Sequence, residues 1–184
     1  VASVPMGSGS TVRIGVLGAA QITPKALIAP ARELDHVEVV AVAARDGNRA
    51  EEFARQWGIP QVLDGYQALI EADMDAVYNP LPNGLHCRWS TEALRAGRHV
   101  LCEKPLTSNA DQAREVAAAA EASGKVLMEA FHYRYHPLMM RAVEVVRELG
   151  ALRRVEAWMQ VPLFKRRDIR FDLDLAGGAT MDLG

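Results

Sequence analysis

Short apolar runs alternate with helical patterns through the first 130 residues of the chain. The runs are rich in Val, Leu and Ala and end at turn residues, which predicts β-strands. They occupy residues 12–17, 37–44, 61–63, 76–79, 100–102 and 126–130. Helical patterns occupy residues 24–34, 48–57, 66–71, 85–96 and 108–123. Nearly continuous apolar strands are buried on both faces, so the alternation predicts an α/β fold with a doubly wound parallel sheet.

Single residues predict where several helices begin and end. Thr23 precedes Pro24 and is predicted to be the N-cap of the first helix, with proline at its first position. Ser108 is predicted to cap the long helix that Gly124 ends.

The pattern changes after residue 130. Residues 131–136 are aromatic and basic, Pro137 starts a helix that runs to residue 149, and residues 152–161 alternate as a half-buried antiparallel strand does. We therefore predict a disordered lead-in over 1–11, a sheet domain over 12–130, and the incomplete start of an α+β second domain over 131–184.

Composition excludes several classes of protein. The 21 Lys and Arg residues face 23 Asp and Glu residues, which is not a nucleic-acid footprint. No run reaches the roughly 18 apolar residues of a membrane span. The histidines and cysteines lack metal-ligand spacing, so no metal site is predicted. Cys87 and Cys102 are predicted to be buried, reduced thiols in a cytoplasmic protein.

The turn after the first strand is a candidate phosphate-binding turn. Gly18 allows a sharp bend, and the helix that follows offers N–H groups and the positive end of its dipole. Ala20, Gln21 and Ile22 complete the predicted cofactor-binding turn, although Ala20 and Thr23 stand where a G-x-G-x-x-G motif has glycines. The alternative is a tight turn without a ligand.

The end of the second strand predicts which dinucleotide binds. NAD enzymes usually carry an acid there for the ribose hydroxyl, whereas this chain has Ala44 followed by Arg45. An arginine pairs with a 2′-phosphate, so NADP(H) is predicted and NAD is less favoured. Alternatively, Arg45 is a solvated residue and Asp46 caps the next helix.

Glu103-Lys104-Pro105 follows an apolar strand, and the carboxyl ends of strands in such a sheet are where ligands bind. A lysine that is partly removed from water becomes a usable proton donor and acceptor. Lys104 is therefore the candidate catalytic residue. The alternative is an ordinary surface turn.

Taken in order, these segments resemble the Gfo/Idh/MocA oxidoreductase family over residues 12–184. Asn79-Pro80 with Asn83 and His86 resembles its loop after the fourth strand, and residues 177–184 resemble its Gly-Gly-x-x-x-Asp-x-Gly segment. Residues 43–46 and Arg170-Phe171 are especially similar to the branch of dimeric dihydrodiol dehydrogenases and NADP-dependent sugar dehydrogenases.

The resemblance implies a Rossmann domain and hydride transfer between NADP(H) and a hydroxyl or carbonyl carbon of a sugar, polyol or trans-dihydrodiol. Lys104 would transfer the proton. The implied cofactor contacts are Asn79, Leu81, His86, Glu103 and Lys104. A second catalytic Tyr or His would follow Gly184, since family members are longer. The whole protein would be a homo-oligomer, and these 184 residues alone are expected to bind cofactor with little or no turnover.

Other roles remain open. His132 and Arg134 would contact substrate or form a polar hinge, and Asp182 is a further implied substrate residue. His86 would otherwise be only part of a first helical turn. The stretch with Arg166, Arg167 and Arg170 is more typical of a solvated loop, and Trp158, Met139 and Met140 are typical of packing or an interface.

Two rival functions remain. A non-catalytic NADP-binding sensor would keep the turn and Arg45 but would not need Lys104. An NAD-dependent glycosidase of the same family would use the same fold, although Ala44, in the place of an acid, argues against NAD.

Overall fold

A six-stranded parallel sheet forms the centre of the computed structural model, which describes residues 11–158, 160 and 168–183. Its strands are β1 (Val12–Leu17), β2 (Val37–Ala43), β3 (Gln61–Leu63), β4 (Ala76–Asn79), β5 (His99–Cys102) and β6 (Leu127–Glu129). The order across the sheet is β3-β2-β1-β4-β5-β6. The order reverses between β1 and β4, the switch point at which doubly wound sheets bind ligands. The predicted fold class is confirmed.

Helices cover both faces of the sheet. They are α1 (π-helical Pro24–Ile28 continuing as Ala29–Ala31), α2 (Gly47–Trp57), α3 (Gly65–Glu71), α4 (Asn83–Arg95), α5 (Ala110–Ser123), α6 (Pro137–Leu149) and α7 (Ala179–Leu183). Leu69, Leu94 and Val116 pack from α3, α4 and α5 onto one face of the sheet, and Ile28 and Phe53 pack from α1 and α2 onto the other. This burial on both faces explains why the strands are almost continuously apolar.

The first helix differs from its prediction at both ends. Thr23 already has helical angles (φ −53°, ψ −43°) and its side chain makes no capping bond, so it is not an N-cap. The helical segment stops at Ala31, short of the predicted residue 34. Pro30 is the physical reason for the irregularity, because it has no N–H to donate to the preceding turn.

The cap of α5 lies one residue later than predicted. Asn109 has extended angles and its Oδ1 accepts a hydrogen bond from Gln112 N at 3.0 Å. Ser108 is half-buried, and its hydroxyl has no hydrogen-bond partner among the described residues. An N-cap must directly precede the first helical residue to reach its second or third N–H group, and Asn109 does so.

The region after the sheet is less regular. Helix α6 spans Pro137–Leu149, as predicted, and His136 caps it by accepting from Leu138 N at 3.2 Å. The predicted strand over 152–161 is not formed within residues 152–158. These residues are exposed, and their backbone joins no sheet among the described residues. A strand requires a neighbour for its backbone groups, and alternation alone does not supply one.

Several predictions fall outside the described residues. They are those for the lead-in over 1–10, for Val161, for Arg166 and Arg167, and for Gly184. The division into domains at residues 130–136 stays a prediction. Within the described part of the chain, no helix has both the length and the apolar character needed to cross a membrane.

Candidate active site

A cleft of about 770 Å³ opens at the edge of the sheet where the parallel strands end. The turn after β1, the β4–α4 loop, the loop after β5 and the segment after β6 all contribute to its lining. Six of the predicted site residues line it: Ile22, Leu81, His86, Glu103, Lys104 and His132. The predicted phosphate turn and the predicted catalytic lysine therefore share one edge of one sheet.

The turn after β1 needs glycine at its first position. Gly18 has φ +84°, and its N–H donates to the Ala43 carbonyl at 2.6 Å. A Cβ at Gly18 would lie 2.9 Å from Leu81 Cδ2, so the turn packs directly against a wall of the cleft. Ala20 is half-buried and Gln21 is exposed. Gly18, Ala20 and Gln21 themselves are not among the lining residues of the cleft.

Two arginines lie where β2 ends. Arg45 is exposed, and Asp46 caps α2 by accepting from Arg49 N at 3.4 Å. The Arg49 guanidinium donates to the Ala19 carbonyl at 2.7 Å, which brings it to the phosphate turn. The sequence analysis missed Arg49. Arg49 lies in the first turn of α2, and its local sequence carries no signal of the contact with Ala19.

The loop that carries Lys104 is held on several sides. The Tyr78 hydroxyl donates to Glu103 Oε1 at 2.7 Å, and Leu106 N donates to Glu129 Oε1 at 2.8 Å. Burial, reinforced by the Glu103 carboxylate, raises the pKa of Tyr78 far above its ordinary value, so Tyr78 stays a donor. Lys104 is half-buried and its bond to Pro105 is cis.

Asn79 is buried, and the almost completely buried His86 lies at the floor of the cleft. The Asn79 amide donates to the His86 carbonyl at 3.2 Å and to Ser90 Oγ at 3.0 Å, and its oxygen accepts from Leu81 N at 3.3 Å. The Asn79 side chain is therefore engaged in holding the β4–α4 loop. Both ring nitrogens of His86 lie against backbone carbonyls, those of Leu81 and Pro105.

The segment of residues 168–177 forms one side of the cleft. Asn83 Nδ2 donates to the Ala176 carbonyl at 3.1 Å, and a Cβ at Gly84 would lie 3.2 Å from the Asp174 carbonyl. This packing brings Arg170 to the cleft, where its Nη1 also donates to Asp168 Oδ1 at 3.1 Å. Arg170 is exposed, as expected of a solvated loop, and it also lines the cleft.

The remaining predicted substrate residues have different placements. His132 is exposed and lines the cleft, whereas Arg134 is exposed and is not among the lining residues. Asp182 belongs to α7, and its side chain is outside what the structure describes. The lining residues that sequence reasoning did not single out include Lys25, Tyr78, Phe131 and Tyr135. Tyr78, which lies within an apolar strand, gave no local signal of its contact with Glu103.

The two cysteines are free and buried, as predicted. Burial raises the pKa of Cys102 to about 12, so this thiol stays protonated at ordinary pH. Burial also raises the pKa of Cys87. Neither residue is among those that line the cleft.

The chain is similar in sequence to known proteins. The chain is 49% identical over 173 residues to D-xylose 1-dehydrogenase (NADP(+)) 2 of Haloferax volcanii, a match that covers 92% of this chain and 53% of that protein. It is 40% identical over 152 residues to trans-1,2-dihydrobenzene-1,2-diol dehydrogenase of Mus musculus, covering 80% of this chain and 45% of that protein. The chain spans about half the length of the curated relatives it matches.

A solved structure is similar over almost the whole chain. It is a mutant of KijD10, a 3-ketoreductase from Actinomadura kijaniata, in complex with TDP-benzene and NADP. The match has a TM-score of 0.84 at 38% identity and covers 94% of this chain and 54% of that one.

The model of the GFO_IDH_MocA family, described as an oxidoreductase family with an NAD-binding Rossmann fold, matches residues 12–131. These residues contain the sheet, the phosphate turn and Lys104. The chain therefore belongs to the Gfo/Idh/MocA oxidoreductase family.

Proposed function

We propose that this protein is an oxidoreductase that transfers a hydride between NADP(H) and the hydroxyl or carbonyl carbon of a sugar, a polyol or a trans-dihydrodiol. The observation that carries the proposal is the half-buried Lys104, which lines the same cleft as Ile22 of the phosphate turn. A proton-transferring amine beside a dinucleotide turn is the arrangement that carbonyl reduction requires.

The residues present fit NADP. Gly18, with φ +84°, makes the sharp turn that leads from β1 to the N-terminus of α1, where a pyrophosphate would bind. Arg45 and Arg49 place two guanidinium groups at the end of β2, next to that turn. Guanidinium groups suit a 2′-phosphate, and Ala44 supplies no carboxylate to repel it.

The protein's own groups would handle the proton. NADP(H), when bound, supplies or accepts the hydride. Lys104 would donate a proton to the substrate oxygen as a carbonyl is reduced, and accept it in the reverse direction. Glu103 precedes Lys104 in the chain, and the Tyr78 hydroxyl holds its carboxylate in place.

Three residues are proposed to contact the substrate. His132 lines the cleft and is proposed to bind substrate hydroxyls. Arg134 and Asp182 are proposed as substrate residues on the family resemblance alone. We also propose that the whole protein is a cytoplasmic homo-oligomer, in keeping with its two free cysteines.

Lys104→Ala in the full-length protein tests the proposal. Turnover, followed by NADPH absorbance over a panel of sugars, polyols and dihydrodiols, is expected to fall roughly a hundred- to ten-thousand-fold. The Kd for NADPH should change little. The control is Lys125→Ala. Lys125 is also half-buried, but it precedes β6 and so lies at the opposite end of the strands from the cleft. Unchanged turnover in Lys104→Ala would end the assignment.

Two further measurements address the rival functions and the cofactor. Tight NADPH binding with no turnover over the panel would favour the sensor, and glycoside release without net cofactor reduction would favour the glycosidase. NADPH is expected to bind more tightly than NADH, and equal affinities would contradict the roles of Arg45 and Arg49.

A further inference from the structure

One imidazole joins the two loops that form the floor of the cleft. His86 lies in the first turn of α4 and is only 1% exposed. Its Nε2 lies 2.6 Å from the carbonyl oxygen of Leu81, in the β4–α4 loop. Its Nδ1 lies 2.7 Å from the carbonyl oxygen of Pro105, the residue directly after Lys104. These contacts connect the catalytic loop to the wall that packs on the phosphate turn.

Both contacts place a ring nitrogen of His86 against a hydrogen-bond acceptor. Carbonyl oxygens only accept and a neutral imidazole carries one N–H, so both contacts are hydrogen bonds at once only when both nitrogens of His86 carry a proton. Burial lowers the pKa of His86, and the Pro105 and Leu81 carbonyls, with the more distant Glu103 and Glu129 carboxylates, oppose that effect. Since both nitrogens face the backbone, neither is left to contact a dinucleotide.

The contact at Pro105 completes the support of the lysine loop. Tyr78 holds the side chain of Glu103, before Lys104, and Glu129 holds the backbone of Leu106, beyond it. Those two contacts come from β4 and β6, on either side of β5. The His86 ring supplies the contact from α4.

The contact at Leu81 leads to the phosphate turn. Leu81 packs where a Cβ on Gly18 would lie 2.9 Å from its Cδ2. Asn79 fixes the other side of the same loop by accepting from Leu81 N and donating to the His86 carbonyl. The loop position that shapes the turn therefore depends on the Nε2 side of the ring.

We propose that His86 is a positioning residue with two separable effects. Through Pro105 it sets the place of the Lys104 amine, and through Leu81 it sets the wall against which the phosphate turn packs. The consequences for turnover rest on the proposed oxidoreductase function. The competing explanation is an ordinary core histidine, whose replacement would lower stability without separating the two effects.

A matched pair of substitutions in the full-length protein separates the effects. In His86→Asn the amide nitrogen stands in for Nδ1 and retains the bond to Pro105, and in His86→Gln it stands in for Nε2 and retains the bond to Leu81. His86→Gln should lower kcat roughly ten- to a hundred-fold with KM for NADPH nearly unchanged. His86→Asn should raise KM for NADPH and retain most of kcat. Equal losses in both variants would overturn the proposal.

Hydrogen exchange at Leu106 tests the same idea without turnover. Exchange of its amide should be faster in His86→Gln than in His86→Asn, because only His86→Gln releases Pro105. If the wild-type protein turns over no substrate, the oxidoreductase proposal fails, and this comparison still decides the role of His86. Equal exchange rates in the two variants would refute it.

A third measurement uses only the wild-type protein and so does not depend on whether the variants fold. Nitrogen NMR of the imidazole should detect a proton on both Nδ1 and Nε2 of His86. A ring with a proton on one nitrogen alone would leave either Pro105 or Leu81 without a donor and would also overturn the proposal.

Discussion

Helices α4 and α6 have the same length and opposite surroundings. Each has 13 residues. Helix α4 buries six of them: His86, Cys87, Ser90, Thr91, Ala93 and Leu94. Helix α6 has no residue that the described part of the chain buries, although α6 is rich in Leu, Met and Val. Leu138, Met140, Val143 and Leu149 of α6 are all exposed.

The comparison separates what a helix is able to bury from what it does bury. Helix α4 contains polar residues, yet it packs on the sheet beside α5, where Ser90 accepts a hydrogen bond from Asn79. The local signals of α6 are good: Pro137 at its first position and His136 as its cap. Local signals therefore start a helix, whereas neighbouring elements decide what it buries.

The largest expected effect tests burial directly. Leu94→Ala, at a position that is 0% exposed, should lower the free energy of unfolding by about 2–5 kcal/mol because it leaves a cavity. Leu149→Ala, at a position that is 77% exposed, should change it by less than about 0.5 kcal/mol. Urea denaturation of both variants measures the difference. A large cost at Leu149 would break the comparison and indicate that another surface covers α6 in solution.

An intermediate effect is expected at Gly18. Gly18→Ala should cost at least about 1–2 kcal/mol, since a side chain at φ +84° is strained and its Cβ would meet Leu81. Gly124→Ala is the matched control, because Gly124 has φ +65° with no atom near a Cβ. Denaturation should give the larger loss for Gly18→Ala, and NADPH titration should show weaker binding only there. Equal losses would mean that the packing at Leu81 contributes nothing.

The smallest effect concerns the helix caps. Asn109→Ala removes the bond to Gln112 N and should lower global stability by about 1 kcal/mol, because α5 packs on the sheet. His136→Ala removes the bond to Leu138 N and should only speed hydrogen exchange within α6. Denaturation and exchange on the same samples distinguish the two results. A global loss in His136→Ala would show that α6 unfolds together with the sheet.

Most of the sheet domain was predictable from the sequence because its signals are local. Apolar runs and turn residues identified every strand from β1 to β6, and the ends of α2, α3 and α4 came within about two residues. The errors arose where two local signals competed. Ser108 and Asn109 are both good caps, and Thr23, the predicted cap of the first helix, has helical angles itself.

The candidate site was predictable only in part. Gly18, Ile22 and Lys104 follow from the rule that parallel strands open their ligand site at the end where they stop, whereas Leu81 came from the family resemblance. The position of Arg170 at the cleft was not predictable from the sequence, because it depends on the packing of its segment against Asn83 and Gly84, which are distant in the chain.

By itself the sequence determined the number of strands, their positions along the chain and the place of Lys104 after the fifth strand. Periodicity and turn chemistry act between near neighbours, so the sequence carries these features directly. Only the tertiary structure decided the contacts of Arg49 with Ala19, Tyr78 with Glu103, and His86 with Pro105. These partners lie 30, 25 and 19 residues apart, and such contacts leave no periodic trace in the chain.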